Sequence, residues 1–285
     1  MRLLVLGSGG MLGRAVVRDA TRLGHDVVAR ARADLDITDP DAVTRAVGEV
    51  APRAILNCAG FTDVDGAEAD EPAAMRVNGD GPGNIARAAA EAGARVVHVS
   101  TDYVFDGSKR EPWVESDPVA PLQAYGRTKL AGEVAVAESG AEHAIVRTAW
   151  LFGAGGPNFV ATMLRLGAER DEVTVVSDQH GGPTWTGHLA AALIEVAERE
   201  GDVGLFHASA AGSCSWYEFA VEIFDRARLR CRVVPTTTER FARPARRPAY
   251  SVLGTERNPG IVLPSWQDGL AAYLAERAEA EAAAA

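Results

Sequence analysis

Short all-apolar runs and longer amphipathic stretches alternate along the first half of the chain, and their order predicts the fold. The run Arg2–Leu6 breaks at Gly7 and gives way to a helical pattern that Gly24 stops, and a second run, Asp26–Arg30, follows. Asp39 and Pro40 then place an N-cap and a first-turn proline at a helix start. Further apolar runs at 54–58, 95–99 and 143–147 are separated by helical patterns at 68–92, interrupted around 78–82, and at 123–137. Runs too short to be helices, each followed by a 3.6-period segment, predict parallel strands joined by crossover helices. The expected fold is α/β: a Rossmann-type doubly wound parallel sheet over residues 1–150, with a smaller C-terminal α/β substrate domain over 151–285. In that second part the pattern predicts a helix at 158–169, a strand at 173–177, a helix at 187–200, a strand at 205–209 and a helix at 216–228. An Ala- and Glu-rich helical tail follows at 267–285. The strand and helix around 173–200 are expected to return to the first domain.

The turns between these elements carry the candidate chemistry. Gly7, Gly10 and Gly13 form a Gly-x-x-Gly-x-x-Gly turn between the first strand and the first helix. Glycines there let the backbone approach a pyrophosphate, which the helix N-terminus then holds through its free N–H groups. The second strand ends without the acidic residue that would bind both ribose hydroxyls of NAD. Arg30 and Arg32 stand there instead, which suits a 2′-phosphate and points to NADPH or to use of both cofactors. Asp36 and Ile37 fall in an adenine-side loop, and Gly60, Phe61 and Thr62 leave the third strand at the edge where open parallel sheets bind ligands. Ser100 and Thr101, directly after the fourth apolar run, either meet a substrate or cap a turn. Trp150, just past the fifth, either packs in the core or covers a sugar ring. The basic stretch from Arg243 to Pro248 either contacts a phosphate or carboxylate, as Arg246 and Arg247 are expected to do, or is a solvated loop.

Tyr125 and Lys129 are four residues apart in a helical segment, so both side chains face one space. A free tyrosine titrates near ~10, and a nearby cation favours its phenolate. A tyrosine tuned in this way can pass a proton to an oxygen that is gaining negative charge. By itself the spacing is also that of an ordinary surface pair.

Composition narrows the partners. A net charge of −10 argues against nucleic acid, whose recognition leans on clustered Lys and Arg. The apolar runs are too short to span a membrane or to form a signal peptide, so a cytoplasmic protein with no membrane partner is expected. Three cysteines without a Cys-x-x-Cys and six histidines without metal-ligand spacing predict reduced thiols and no zinc site.

Together, Gly7/Gly10/Gly13, Ser100-Thr101-Asp102-Tyr103-Val104-Phe105, Tyr125-x-x-x-Lys129, Arg147-Thr148-Ala149-Trp150 and Pro244-Ala245-Arg246-Arg247-Pro248 run in one order. In this the chain resembles the extended short-chain dehydrogenase/reductases, and within them the dTDP-4-dehydrorhamnose reductases. The resemblance implies NAD(P)H-dependent reduction at C4 of a dTDP-4-keto-6-deoxyhexose, with dTDP-4-dehydrorhamnose converted to dTDP-L-rhamnose. It implies Tyr125 as proton donor, Lys129 lowering its pKa and holding the nicotinamide ribose, and Thr101 on the keto oxygen. It places Asp102, Tyr103 and Trp150 along the sugar, and Gly10, Met11, Leu12, Arg30, Asp36, Ile37, Gly60, Phe61, Thr62 and Val99 on the cofactor. It also implies a homodimer and, in some members, a magnesium ion, although the sequence holds no acidic cluster from which a metal follows. A dehydratase resembles Thr-Asp-Glu where this chain has Tyr103 in the third position, so that machinery is missing. An epimerase, which would retain NAD through purification, and a non-catalytic regulatory subunit of the same fold stay as alternatives.

Overall fold

The computed structural model describes residues 1–199, 201, 203–258 and 260–284. Five apolar strands open the chain: β1 (Arg2–Leu6), β2 (Asp26–Arg30), β3 (Ala54–Asn57), β4 (Arg95–Thr101) and β5 (His143–Thr148). Between them lie α1 (Met11–Arg22), α2 (Pro40–Val50), α3 (Val64–Ala69), α4 (Glu71–Met75), α5 (Gly81–Ala92) and α6 (Ala124–Ala137). The Asp39 carboxylate caps α2, accepting from the Ala42 N–H at 3.0 Å, with Pro40 in its first turn. The interruption expected near residue 80 is a π-helical turn, Arg76–Asp80, which runs directly into α5.

The second half contributes α7 (Phe159–Glu169), α8 (Thr186–Glu198), α9 (Trp216–Arg226) and α10 (Trp266–Ala284). Its strands are β6 (Leu151–Phe152), β7 (Glu172–Val176), β8 (His180–Gly181), β9 (Thr184–Trp185), β10 (Gly204–His207), β11 (Ala210–Ala211), β12 (Cys214–Ser215), β13 (Arg232–Thr236) and β14 (Leu263–Ser265). The expected helix end at Glu200 and chain end at Ala285 lie outside the described residues.

The central sheet has six strands in the order β10-β5-β4-β3-β1-β2, and each pairing is parallel. Its inner strands β1, β3, β4 and β5 are buried on both faces, which is why they read as near-continuous apolar runs, while the edge strand β2 is only partly covered. Leu3, Val5, Leu56 and Val146 pack with α1 and α8 on one face; Leu4, Leu6, Ile55 and Val96 pack with α2 and α5 on the other. Strand order reverses between β1 and β3, so a crevice opens at their carboxyl ends. Of the segment expected to return to this sheet, helix α8 does so. Strand β7 instead pairs in parallel with β13, outside the central sheet, and the strand that closes the sheet is β10. A third apolar cluster, built on Phe152, Phe219, Phe224, Trp266 and Tyr273, holds α7, α9 and α10 together beside it.

Candidate active site

A cavity of 990 Å³ occupies the crevice at the strand ends, at the upper end of the ~300–1,000 Å³ usual for ligand sites. Its floor is the turn after β1. Gly7 has φ +72°, and a Cβ there would stand 2.5 Å from the Ala59 nitrogen, because the turns after β1 and β3 press together. A Cβ on Gly13 would come within 2.2 Å of the Gly7 carbonyl oxygen, whereas Gly9 and Gly10 meet nothing closer than 3.5 Å. The turn is thus closed toward the protein and open toward the cavity. Gly10 caps α1 without any side-chain hydrogen bond, and Gly10, Met11 and Leu12 line the cavity, so the first N–H groups of α1 face the space. This is the cradle a dinucleotide diphosphate needs. Arg30, Asp36 and Ile37 line one end of it, and Gly60, Phe61, Thr62 and Val99 the middle. Gly13, also expected on the cofactor, lies beneath the turn and not on the cavity wall.

The middle wall is tied to the catalytic helix by one residue that local patterning does not reveal. Asn78, fully buried in the π-helical turn, accepts from the Phe61 N–H at 2.8 Å and donates to the Phe61 carbonyl at 3.0 Å and to Thr128 Oγ1 at 3.2 Å. Thr128 donates in turn to the Tyr125 carbonyl at 3.0 Å.

Tyr125 and Lys129 both line the cavity from α6, as their spacing predicts, and Thr101, Asp102 and Trp150 line it with them. Helix α6 sits flush on the chain that follows β4: a Cβ on Gly126 would lie 2.2 Å from the Tyr103 carbonyl oxygen. The electrostatics differ from the expectation that Lys129 acidifies Tyr125. Burial pushes the Tyr125 hydroxyl up to about 12, and the neighbour that draws it back is the Thr101 hydroxyl. The Lys129 ammonium donates to the Val99 carbonyl at 2.6 Å; burial pushes it down to about 8, with the Glu133 carboxylate opposing. A lysine whose ammonium is engaged by a backbone carbonyl does little to favour a phenolate. Tyr125 therefore holds its proton at neutral pH, which is the state a proton donor needs.

Below Lys129, Glu133 forms a bidentate pair with Arg147 on β5 at 2.9 and 2.6 Å, and Ser100 Oγ donates to it at 2.5 Å. Trp150, at a left-handed φ of 47°, stacks on Trp216 with centroids 3.5 Å apart and rings 3° from parallel. Trp216 is a second residue the sequence reading misses.

Tyr103, Arg246 and Arg247 are not on the cavity wall. Tyr103 stands edge-on to Tyr125, with centroids 6.1 Å apart. Arg247 is held by Asp65 at 2.5 and 3.0 Å, together with Arg243 at 2.9 and 2.7 Å and the Ala245 N–H at 3.0 Å. Those donors keep the Asp65 carboxyl well below the usual carboxylate range, the Arg247 guanidinium above all. The basic stretch is therefore clamped to α3, and of its two candidates only Arg246 is left exposed. Among the described residues no three His, Cys, Asp or Glu side chains come together as a metal site.

Comparison with known proteins agrees with this geometry. The family described as the RmlD substrate binding domain matches residues 1–279. A dTDP-4-dehydrorhamnose reductase of Streptomyces griseus is 48% identical, covering 90% of this chain and 86% of its own. A probable dTDP-4,6-dihydroxy-2-methyloxan-3-one 4-ketoreductase of Streptomyces antibioticus is 45% identical, with 94% and 92% covered. The crystal structure of dTDP-4-dehydrorhamnose reductase from Bacillus anthracis in complex with NADP is similar at a TM-score of 0.94 and 39% identity, with 96% and 99% covered. The match runs through glycine turn, Tyr125 helix and C-terminal segment alike, and the chain belongs to the RmlD family of dTDP-4-dehydrorhamnose reductases.

Proposed function

We propose that this protein reduces the C4 ketone of a dTDP-4-keto-6-deoxyhexose, taking dTDP-4-dehydrorhamnose to dTDP-L-rhamnose with NADPH or NADH. The observation that carries the reading is the meeting of Tyr125, Lys129 and Thr101 on the wall of one cavity whose floor is a dinucleotide cradle. A bound nicotinamide dinucleotide supplies the hydride for the carbonyl carbon. The chain's own residues then do three things. The glycine turn and Asn78 fix the cradle relative to α6, so that the two reactants meet in one orientation. Lys129 lies where the nicotinamide ribose would be held. Tyr125, still protonated at neutral pH, gives its proton to the carbonyl oxygen, and the donation is downhill because an alkoxide is more basic than a phenolate.

Asp102 and Trp150 would line the sugar, with the segment after residue 150 closing over it; Arg246 is the member of the basic stretch free to approach the nucleotide. The Streptomyces antibioticus relative favours a second reading, a 4-ketoreductase acting on a sugar other than the rhamnose precursor. Offering both ketosugar classes and comparing kcat/KM separates the two. A homodimer belongs to the same reading, and light scattering at twice 30.0 kDa tests it. So does residence in the cytoplasm; among the described residues no helix is long and apolar enough to cross a membrane.

The test is Tyr125→Phe. It is expected to bind NADPH as the wild type does and to lose about 100-fold or more in kcat, the usual scale of a general acid. An unimpaired rate removes the role given to Tyr125.

A further inference from the structure

Asp102 is 3% exposed, yet it belongs to the cavity wall beside Thr101 and Tyr125. Its Oδ1 lies 3.0 Å from Thr101 Oγ1, and its Oδ2 is buried with no hydrogen-bond partner. Thr101 Oγ1 also accepts from the Tyr103 N–H at 3.1 Å and neighbours the Tyr125 hydroxyl. Three exchangeable groups are therefore neighbours in turn, the Tyr125 hydroxyl beside Thr101 and Thr101 beside the buried Asp102 carboxyl.

We propose that Asp102 is a proton reserve for Tyr125, acting through the Thr101 hydroxyl. The claim rests on the reading of Tyr125 as the proton donor. When Tyr125 gives its O–H proton to the substrate oxygen, the phenolate takes the Thr101 proton, and Thr101 takes the proton of the Asp102 carboxyl. Three O–H bonds break, on Tyr125, Thr101 and Asp102; those of Tyr125 and Thr101 re-form and the third forms on the substrate oxygen, so the net change is one proton passed from the Asp102 carboxyl to the product. Solvent entering the cavity returns that proton between turnovers.

The arrangement also orders the hydrogens. With Asp102 neutral, its carboxyl donates to Thr101 and Thr101 donates to the Tyr125 oxygen, so the Tyr125 hydrogen is left pointing at the ketone. With Asp102 ionised, the Thr101 hydrogen is drawn to the carboxylate instead, and Tyr125 turns toward Thr101. Burial favours the neutral carboxyl and pushes it up to about 7, while the Ser251 and Thr101 hydroxyls and the Tyr103 N–H act the other way. The titratable groups that face it are Tyr103, beside it in sequence, and Tyr125 on α6; the charged Arg247 reaches Tyr103. Ser251, from the segment that follows the basic stretch, is neutral.

The test follows kcat against pH with saturating NADPH and ketosugar. In the wild type kcat is high below about 7 and falls as pH rises through that value. Asp102→Asn keeps an acceptor for Thr101 but has no proton to give. It is expected to lose roughly 10- to 100-fold in kcat, less than loss of the general acid itself, to flatten the alkaline fall, and to change KM by less than kcat. Thr101→Val should reproduce the loss and Thr101→Ser should restore it, with NADPH binding confirming that each variant is folded. A wild-type rate in Asp102→Asn, an unchanged pH limb, or a loss confined to KM overturns the relay. If Tyr125→Phe is itself fully active, the underlying reading fails with it; if only Asp102→Asn is active, the relay alone fails.

Discussion

Replacing Glu133 by leucine should expose how much of this site depends on one buried carboxylate. Glu133 and Arg147 have side chains only 6% and 4% exposed, and their two parallel hydrogen bonds join α6 to β5 directly beneath the reacting residues. Removing one partner leaves the other charge buried, which costs ~3–5 kcal/mol in such pairs, whereas replacing both by apolar residues can be close to neutral. Glu133→Leu and Arg147→Leu should thus each lower the urea midpoint strongly, while the double variant recovers much of the loss, at unchanged m-value. A second readout lies at Lys129. The Glu133 carboxylate holds the ammonium up against burial, so in Glu133→Leu its pKa falls below about 8. A wild-type ammonium is charged below about 8 and loses its charge as pH rises through that value. In the variant the loss moves to lower pH, and NADPH affinity should weaken at a correspondingly lower pH. Single variants costing under about 1 kcal/mol, or a double variant equal to the sum of the singles, would refute the reasoning.

Gly13→Ala places a Cβ 2.2 Å from the Gly7 carbonyl oxygen and should cost at least about tenfold in NADPH affinity, read as lost thermal stabilisation by the cofactor. Asp65→Ala frees Arg243 and Arg247 and should destabilise by roughly 2–3 kcal/mol at neutral pH. Because the folded carboxyl is held low, this contribution is present above ~4 and fades as pH falls below it, so wild type and variant should converge in acid denaturation. Trp216→Ala removes the ring behind Trp150, worth about 0.5–1.5 kcal/mol, and should raise KM for the ketosugar about two- to tenfold while KM for NADPH stays put. Arg30→Ala should lower the preference for NADPH over NADH; an unmoved ratio means Arg30 does not read the 2′-phosphate.

How much of this was readable in the chain depends on the distance between partners. The glycine turn and the Tyr125–Lys129 pair are local, and period and spacing place both at the cavity. Strand β4 runs through Thr101, past the apolar run, because Ser100 and Thr101 pair with Arg147 and Thr148 on β5. Alternation along 172–176 marks a strand but carries no information about its partner, which turned out to be Arg232–Thr236 and not the central sheet. The Asp65 clamp joins residues 178 and 182 positions apart, so the sequence presents as available a basic stretch of which Arg243 and Arg247 are already engaged. The state of Tyr125 is hidden from the sequence for a related reason. Helical spacing brings Lys129 near, but the Val99 carbonyl that takes its ammonium and the burial that governs the phenol both come from the assembled fold.

The most direct test gives the protein a dTDP-4-keto-6-deoxyhexose and NADPH doubly deuterated at nicotinamide C4, then locates the label. The account predicts one deuterium on C4 of the product sugar for each NADPH consumed, and at least about a hundredfold less of both in Tyr125→Phe over the same time. A ketosugar that binds but leaves NADPH unconsumed, or a product labelled elsewhere than C4, contradicts it.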